Sequence, residues 1–173
     1  IYYWSTVFCL DSCKAEFLQL HNIKNLYIRY FDVVAGDDGF PMPNATIRFE
    51  SSVPENINVI PVVFIVNDCM KNDTKGLANK IISRILQMNE TNDIKGVNEI
   101  QIDCDWTNST RNNFFSFMSD LQEKAHKKGI RVSATIRLHQ LAETPPPVDR
   151  GILMMYNTGD FTKISCRKPI LNI

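Results

Sequence analysis

Excess charge is the first thing missing from this sequence. Its 173 residues carry 19 Lys+Arg against 19 Asp+Glu, a formal net charge of zero. Without a basic surplus, neither nucleic acid nor an anionic membrane surface is the expected partner. Long hydrophobic runs are missing too. No unbroken apolar stretch exceeds five residues, as in Val62 to Val66, against the roughly 20 needed to span a bilayer, so no transmembrane segment is expected. No basic segment leads into an apolar one at the start. The chain opens on Ile1-Tyr2-Tyr3-Trp4, which reads as a strand, so any targeting segment is expected to have been removed or never present. There is no GxGxxG after the first strand and no GxxxxGK[ST] anywhere, which disfavours both familiar kinds of nucleotide site. The cysteines Cys9, Cys13, Cys69, Cys104 and Cys166 are odd in number and include no CxxC pair. At least one thiol is therefore expected to be free, and no zinc, other metal or cofactor is expected. Internal repeats and charge blocks are absent, and nothing sets an oligomeric state.

What is present is an ordinary globular composition, 44% apolar and 22% charged, in a chain long enough to bury a core. Asn-x-Ser/Thr sequons begin at Asn44, Asn72, Asn89 and Asn108. They matter only on a eukaryotic secretory route. Short β-rich segments alternate with helical patterns, which implies a parallel sheet covered by helices. Strands are expected near 1–6, 25–31, 59–66, 98–105, 130–137 and 151–156. Helices are expected over about 12–21, over 75–89 after the cap candidates Asp73 and Thr74, and from Ser109 or Thr110 to Gly129. Between Asp32 and Asn58 no helix is evident, and the segment reads as a long loop on one rim. Thr144-Pro145-Pro146-Pro147 forbids a helix after the fifth strand. About six βα-type units fit an open doubly wound sheet or most of a (β/α)8 TIM barrel in a single domain, 1–173. A complete barrel takes about 250 residues, and 17 follow Tyr156, so a barrel here is expected to be incomplete at its C-terminal end.

Buried parallel strands usually read as continuous apolar runs. The fourth does not: in Glu99-Ile-Gln-Ile-Asp-Cys-Asp-Trp106 the two-residue period sets Gln101, Asp103 and Asp105 against Ile100, Ile102, Cys104 and Trp106. The apolar face should meet the helices and the polar face a barrel interior, with the two carboxylates roughly 6.6 Å apart along the strand. Such carboxylates must be paired, hydrogen-bonded or protonated. The fifth strand supplies Arg131, Ser133, Thr135, Arg137 and His139 in the same alternation, and the second places Arg29 between Tyr27 and Phe31. These groups are either an interior ion-pair network or a site; Asp105, Arg137 and His139, at carboxyl strand ends, favour a site. Trp4 reads as a sugar-stacking platform or a core aromatic. Tyr156 and Asn157, at the end of the sixth strand, can orient a polar substrate.

Ile100-Gln-Ile-Asp103-Cys-Asp105-Trp106-Thr107 resembles the fourth-strand signature DxxDxDxE of family 18 chitinase-like glycoside hydrolases, and Met154-Met-Tyr156-Asn157 resembles their sixth-strand MxYD. The resemblance aligns Asp103 and Asp105 with the second and third aspartates, and Tyr156 with the tyrosine that holds the substrate's acetamido group. Ile100 stands at the first aspartate, Asn157 at the last, and Thr107 at the general-acid glutamate. A threonine cannot protonate a glycosidic oxygen as a carboxylic acid does. Stretches from Tyr3-Trp4-Ser5-Thr6 to Ser133-Ala-Thr-Ile-Arg-Leu-His-Gln140 and Pro146-Pro-Val-Asp-Arg-Gly151 also resemble a group of bacterial envelope barrel proteins.

The resemblance implies an exported, sugar-related protein of the cell envelope or periplasm, such as a lipoprotein, with a cytoplasmic location as the alternative. Its partner would be carbohydrate. Asp103 and Asp105 are the candidate catalytic pair. Trp4, Arg29, Arg137, His139, Gln140, Tyr156 and Asn157 are the candidate substrate-binding residues. The function expected is a glycoside hydrolase-like barrel that binds or cleaves a glycan, or a non-catalytic glycan-binding or scaffolding domain that has lost its acid.

Overall fold

Apolar residues at helical spacing produce three helices among the described residues. In α1 (Ser12–Leu20) the Asp11 carboxylate caps the first turn, accepting the Lys14 N–H at 2.8 Å. In α2 (Leu77–Thr91) Leu77, Ile81, Ile82 and Ile85 form the buried stripe. In α3 (Arg111–His126) Phe114, Phe117, Met118, Leu121 and Ala125 do the same. α2 begins two residues later than the pattern predicts. Asp73 caps only a local turn, accepting from Lys75 N–H at 2.9 Å. Gly76 then takes φ 80° before the helix can start.

The computed structural model describes residues 1–155. Its strands are β1 (Tyr2–Tyr3), β2 (Val7–Phe8), β3 (Asn25–Ala35), β4 (Pro41–Asn44), β5 (Arg48–Phe49), β6 (Asn58–Ile65), β7 (Glu99–Asp103), β8 (Arg131–Arg137) and β9 (Arg150–Met154). The main sheet runs β1-β3-β6-β7-β8-β9, all parallel. The order advances in one direction without reversal, and the helices pack on one face. This excludes the doubly wound alternative, whose strand order reverses at a switch point. Leu18 of α1, Ile81 and Ile85 of α2 and Phe117 and Leu121 of α3 form a single core with Ile100, Ile102, Cys104, Trp106, Val132 and Ala134. Buried Ile60 and Val62 lie apart from that core, on the concave face.

The curl of the sheet is measurable. Arg150 of β9 donates to the Tyr27 hydroxyl of β3 at 2.7 Å and to both Glu99 oxygens of β7 at 2.7 and 2.8 Å. In a flat sheet β3 and β9 would stand about 19 Å apart, farther than the two side chains reach together. The six parallel strands therefore form a half-barrel.

Three expectations need correction. The first strand is not continuous over 1–6: β1 stops at Tyr3, and Val7–Phe8 pairs separately with β5. The span from Asp32 to Asn58 is more than a loop, because β3 continues to Ala35 and β4 folds back on it antiparallel. Phe31 does not share the face of Arg29. A bulge at Tyr30 lets Arg29 pair with Val62 while Phe31 pairs with Val63. Phe31 thus joins the core, and Asp32, opposite Phe64, moves to the concave face. The bulged Tyr30 is buried against α2, its hydroxyl donating to Asn89 at 2.7 Å. That buries the Asn89 sequon, whereas Asn44, Asn72 and Asn108 are exposed.

Breaking a buried pair costs about 3–5 kcal/mol. The half-exposed Arg150, with Arg131 3.8 Å from Glu99 as a residual partner, discounts that figure. Arg150→Met should lower unfolding free energy by about 2 kcal/mol in denaturant titrations; an unchanged midpoint would show that the Arg150–Glu99 pair is not what holds β9.

Candidate functional site

The concave face is built in rows, each set by the two-residue period of β7. Glu99, at the floor, accepts from the Ser133 hydroxyl at 2.7 Å as well as from Arg150. One row up, Gln101 accepts from the Tyr2 hydroxyl at 2.8 Å and donates to Ser133 at 3.3 Å. Burial pushes the Tyr2 hydroxyl up to about 12, so it remains a donor at neutral pH. The next row holds Asp32, Phe64 and Asp103 on β3, β6 and β7.

Asp103 is 4% exposed. It accepts from the Thr135 hydroxyl at 2.6 Å and from Arg137 Nη2 at 2.9 Å. Burial raises its pKa above the ordinary aspartate value; the Thr135 hydroxyl and the Arg137 guanidinium oppose that rise, and Asp105 adds to it. Asp105, just past the end of β7, is 54% exposed and takes the Arg137 Nε–H. Arg137 itself is 13% exposed. One guanidinium therefore holds a buried carboxylate and a solvent-facing one, and the open acceptor positions belong to Asp105.

Arg29 does not reach Asp103. It donates from Nε to Asp32 Oδ1 at 2.7 Å, and its Nη2 pairs with the second oxygen. Its guanidinium carbon also lies 5.8 Å from the Trp4 ring centroid. Trp4 is 42% exposed, which rules out the core reading, and it stacks on Tyr2 with centroids 6.0 Å apart and planes 7° from parallel. Tyr2 in turn stacks on Tyr27 at 4.7 Å. An aromatic ladder thus climbs the wall of the half-barrel and ends in an exposed indole at the rim.

Trp4, Arg29, Asp103, Asp105 and Arg137 are brought onto this rim and wall, with Asp32 as a member that the sequence period hides. Gln140 is placed differently. It is buried in the turn Leu138–Ala142, accepts the Arg137 backbone N–H at 2.9 Å and donates to the Trp106 carbonyl at 3.0 Å. That side chain ties the end of β8 to the end of β7. His139, exposed in the same turn, lines a cavity of about 220 Å3 with Trp106, Thr107 and Glu143. The Thr107 hydroxyl lies 2.9 Å from Ser109 Oγ and 3.3 Å from Thr110 Oγ1. Tyr156 and Asn157 lie outside the described residues.

No protein-family model and no curated protein matches the chain. Among solved structures it is similar to a chitinase from Chromobacterium violaceum ATCC 12472, with TM-score 0.55 and 13% identity over 89% of this chain and 56% of that one. It is also similar to the spore cortex-lytic enzyme SleL of Bacillus cereus, with TM-score 0.56 and 19% identity over 91% of this chain and 40% of that one. The chain thus spans about half the length of the structures it matches. At these identities the likeness is one of fold alone: the half-barrel corresponds to part of the α/β barrel of these structures.

Because Asp103 holds its proton to higher pH folded than unfolded, the folded chain binds more protons between about pH 3.9 and the folded pKa. Its contribution to stability therefore falls as pH rises through that interval and is flat above it. Measured from about pH 3 to neutrality, the unfolding free energy of the native chain minus that of Asp103→Asn should decline with pH; a rising difference would mean that Arg137 outweighs burial.

Proposed function

We propose that this chain is a carbohydrate-active domain that engages a glycan at the carboxyl ends of its parallel strands. One observation carries the reading: an exposed indole and a solvent-facing carboxylate occupy the same open rim, each held from below by part-buried partners. Trp4 offers an apolar ring face of the kind that packs against the C–H face of a sugar, with Arg29 and Asp32 beside it. Asp105 offers acceptor oxygens to sugar hydroxyls, and Arg137 orients it from below. The fold shared with a chitinase and a cortex-lytic enzyme supports a glycan as the ligand class. An exported, envelope-facing location suits that ligand and belongs to the same proposal.

Cleavage is the second reading, and the Asp103/Asp105 pair favours it. Both carboxylates accept from the one Arg137 guanidinium, which sets two acids side by side at the end of β7. In this reading Asp105 is the acid or base, Asp103 tunes it, and Arg137 positions substrate. Thr107 favours binding without turnover, since its hydroxyl cannot replace a carboxylic acid.

The test is binding and hydrolysis of chitin, peptidoglycan and host-glycan oligosaccharides by the native chain, Trp4→Ala and Asp105→Asn. At least one ligand class should bind saturably, and Trp4→Ala should weaken it about tenfold or more. Turnover abolished in Asp105→Asn selects cleavage; binding with no turnover in any form selects the non-catalytic module. Absence of binding to every class, or equal affinity in all three proteins, would overturn the glycan assignment.

A further inference from the structure

One ring on the concave face belongs to none of the polar contacts described above. β6 turns Ile60, Val62 and Phe64 inward; the first two are buried, and Phe64 alone is only partly so. It is the last inward residue of its strand, because Ile65, which ends β6, joins the core. Phe64 itself lies outside that core. The packing of the helices therefore does not require an aromatic ring here, and the fold leaves one accessible at the top of the concave face.

Its neighbours define what it can hold. Strand register sets Asp32 of β3 directly on one side of Phe64 and Asp103 of β7 directly on the other, with about 4.8 Å between adjacent strands. Asp32 is held by Arg29, and Asp103 shares Arg137 with the solvent-facing Asp105. A flat apolar ring is thus bordered on both sides by an acid and its arginine. An anion would meet carboxylates on either flank. A wholly apolar ligand would cover two ion pairs and return no hydrogen bonds to them. The ligand that fits has an apolar face for the ring and hydroxyls at its edges that both donate and accept, which is the chemistry of a neutral sugar ring.

The strand order then gives the ligand a direction. Trp4 follows β1, the Arg29/Asp32 pair stands on β3, Phe64 on β6 and Asp105 just past β7, and these strands are consecutive in the sheet. From Trp4 to Asp105 there are three strand intervals, about 14 Å along the sheet, more than a monosaccharide covers. We infer that Phe64 is a sugar-stacking floor in the middle of the site, and that an oligosaccharide lies across the strands from Trp4, over Phe64, to Asp105. The inference rests on the glycan reading above; it adds a contact residue to it and fixes the path and least length of the ligand.

Chitin, peptidoglycan and host-glycan saccharides, from the monosaccharide upward, are titrated against the native chain, Phe64→Leu, Phe64→Met and Phe64→Tyr, with thermal unfolding followed for each. Leu and Met keep an apolar side chain and delete the ring face, so whichever of the two folds carries the test. It should bind oligomers about tenfold more weakly or worse, while Phe64→Tyr, which keeps the ring, should stay within about threefold of the native chain. Affinity should rise from monosaccharide to oligomer in the native chain, and Trp4→Ala should lose that rise. If oligomers bind and Trp4→Ala or Asp105→Asn weakens them, while no Phe64 variant shifts affinity beyond about twofold, the rim reading stands and the floor falls. Equal losses in the ringless variants and in Phe64→Tyr would also overturn the floor, since the ring face would then not be what binds. Equal affinity for the monosaccharide and every oligomer would overturn the path across the strands. If no saccharide binds, the glycan reading and the floor fall together.

Discussion

Everything on the concave side depends on one constraint: β7 must bury carboxylates. Among the described residues helices cover only one face of this sheet, so the period of two sends Ile100, Ile102 and Cys104 into the core and Glu99, Gln101 and Asp103 the other way. An unpaired buried charge costs several kcal/mol. No single neighbouring strand supplies enough partners. Ser133, Thr135 and Arg137 come from β8, Arg150 from β9 and Tyr2 from β1. Only a curled sheet brings groups from strands so far apart in the order to the same row. Polar satisfaction and curvature are therefore one requirement, and the half-barrel is its geometric solution.

Along that stripe the environment changes from floor to rim, and the chemistry changes with it. Glu99 and Asp103 are almost fully enclosed, whereas Asp105 is more than half exposed. An enclosed carboxylate is out of reach of solvent, whereas the exposed one keeps acceptor positions that Arg137 does not occupy. Arg137 is thus the hinge between structure and site: its Nη2 stabilises the buried Asp103 and its Nε aims Asp105. The Arg29/Asp32 pair repeats the arrangement on β3, with Trp4 in place of a second acid. Opposite charges gathered in this way leave a neutral chain with a locally structured field, which a net charge of zero conceals.

Much of this was legible from residue order alone, and the failures have physical causes. Five of the six strand positions, all three helices and the polar alternation of β7 and β8 follow from periodicity. The face of β3 beyond Arg29 does not, because a bulge adds one residue to the count and inverts everything after it. Asp32 was hidden for that reason, and the only outward sign was a run, Tyr30-Phe31 followed by Asp32, that breaks alternation. The β4 hairpin was hidden by its prolines. Pro41 and Pro43 argue against a central strand, yet among the described residues β4 pairs with β3 alone, where a missing N–H is tolerated. Trp4 illustrates the reverse case: a large aromatic defaults to the core by composition, and only the early end of β1 exposes it.

The position of Thr107 shows why fold and chemistry separate at this strand end. Up to Asp105 the β7 stripe is fixed by buried partners, and each residue there answers to the rows beneath it. Past Asp105 those rows end and the backbone turns into α3, with the Thr107 N–H donating to Thr110 Oγ1 and Thr110 donating to Asn67. A hydroxyl that closes a turn serves the helix start, and no interior group demands a carboxylate in its place. The same turn leaves Trp106 wedged against α3 with its nitrogen unpartnered, while Gln140 fastens the following strand's turn across its carbonyl. Stability thus prescribes the residues below the rim and leaves those above it free of interior constraint, so a barrel of this kind can keep its interior while the residues at its strand ends change.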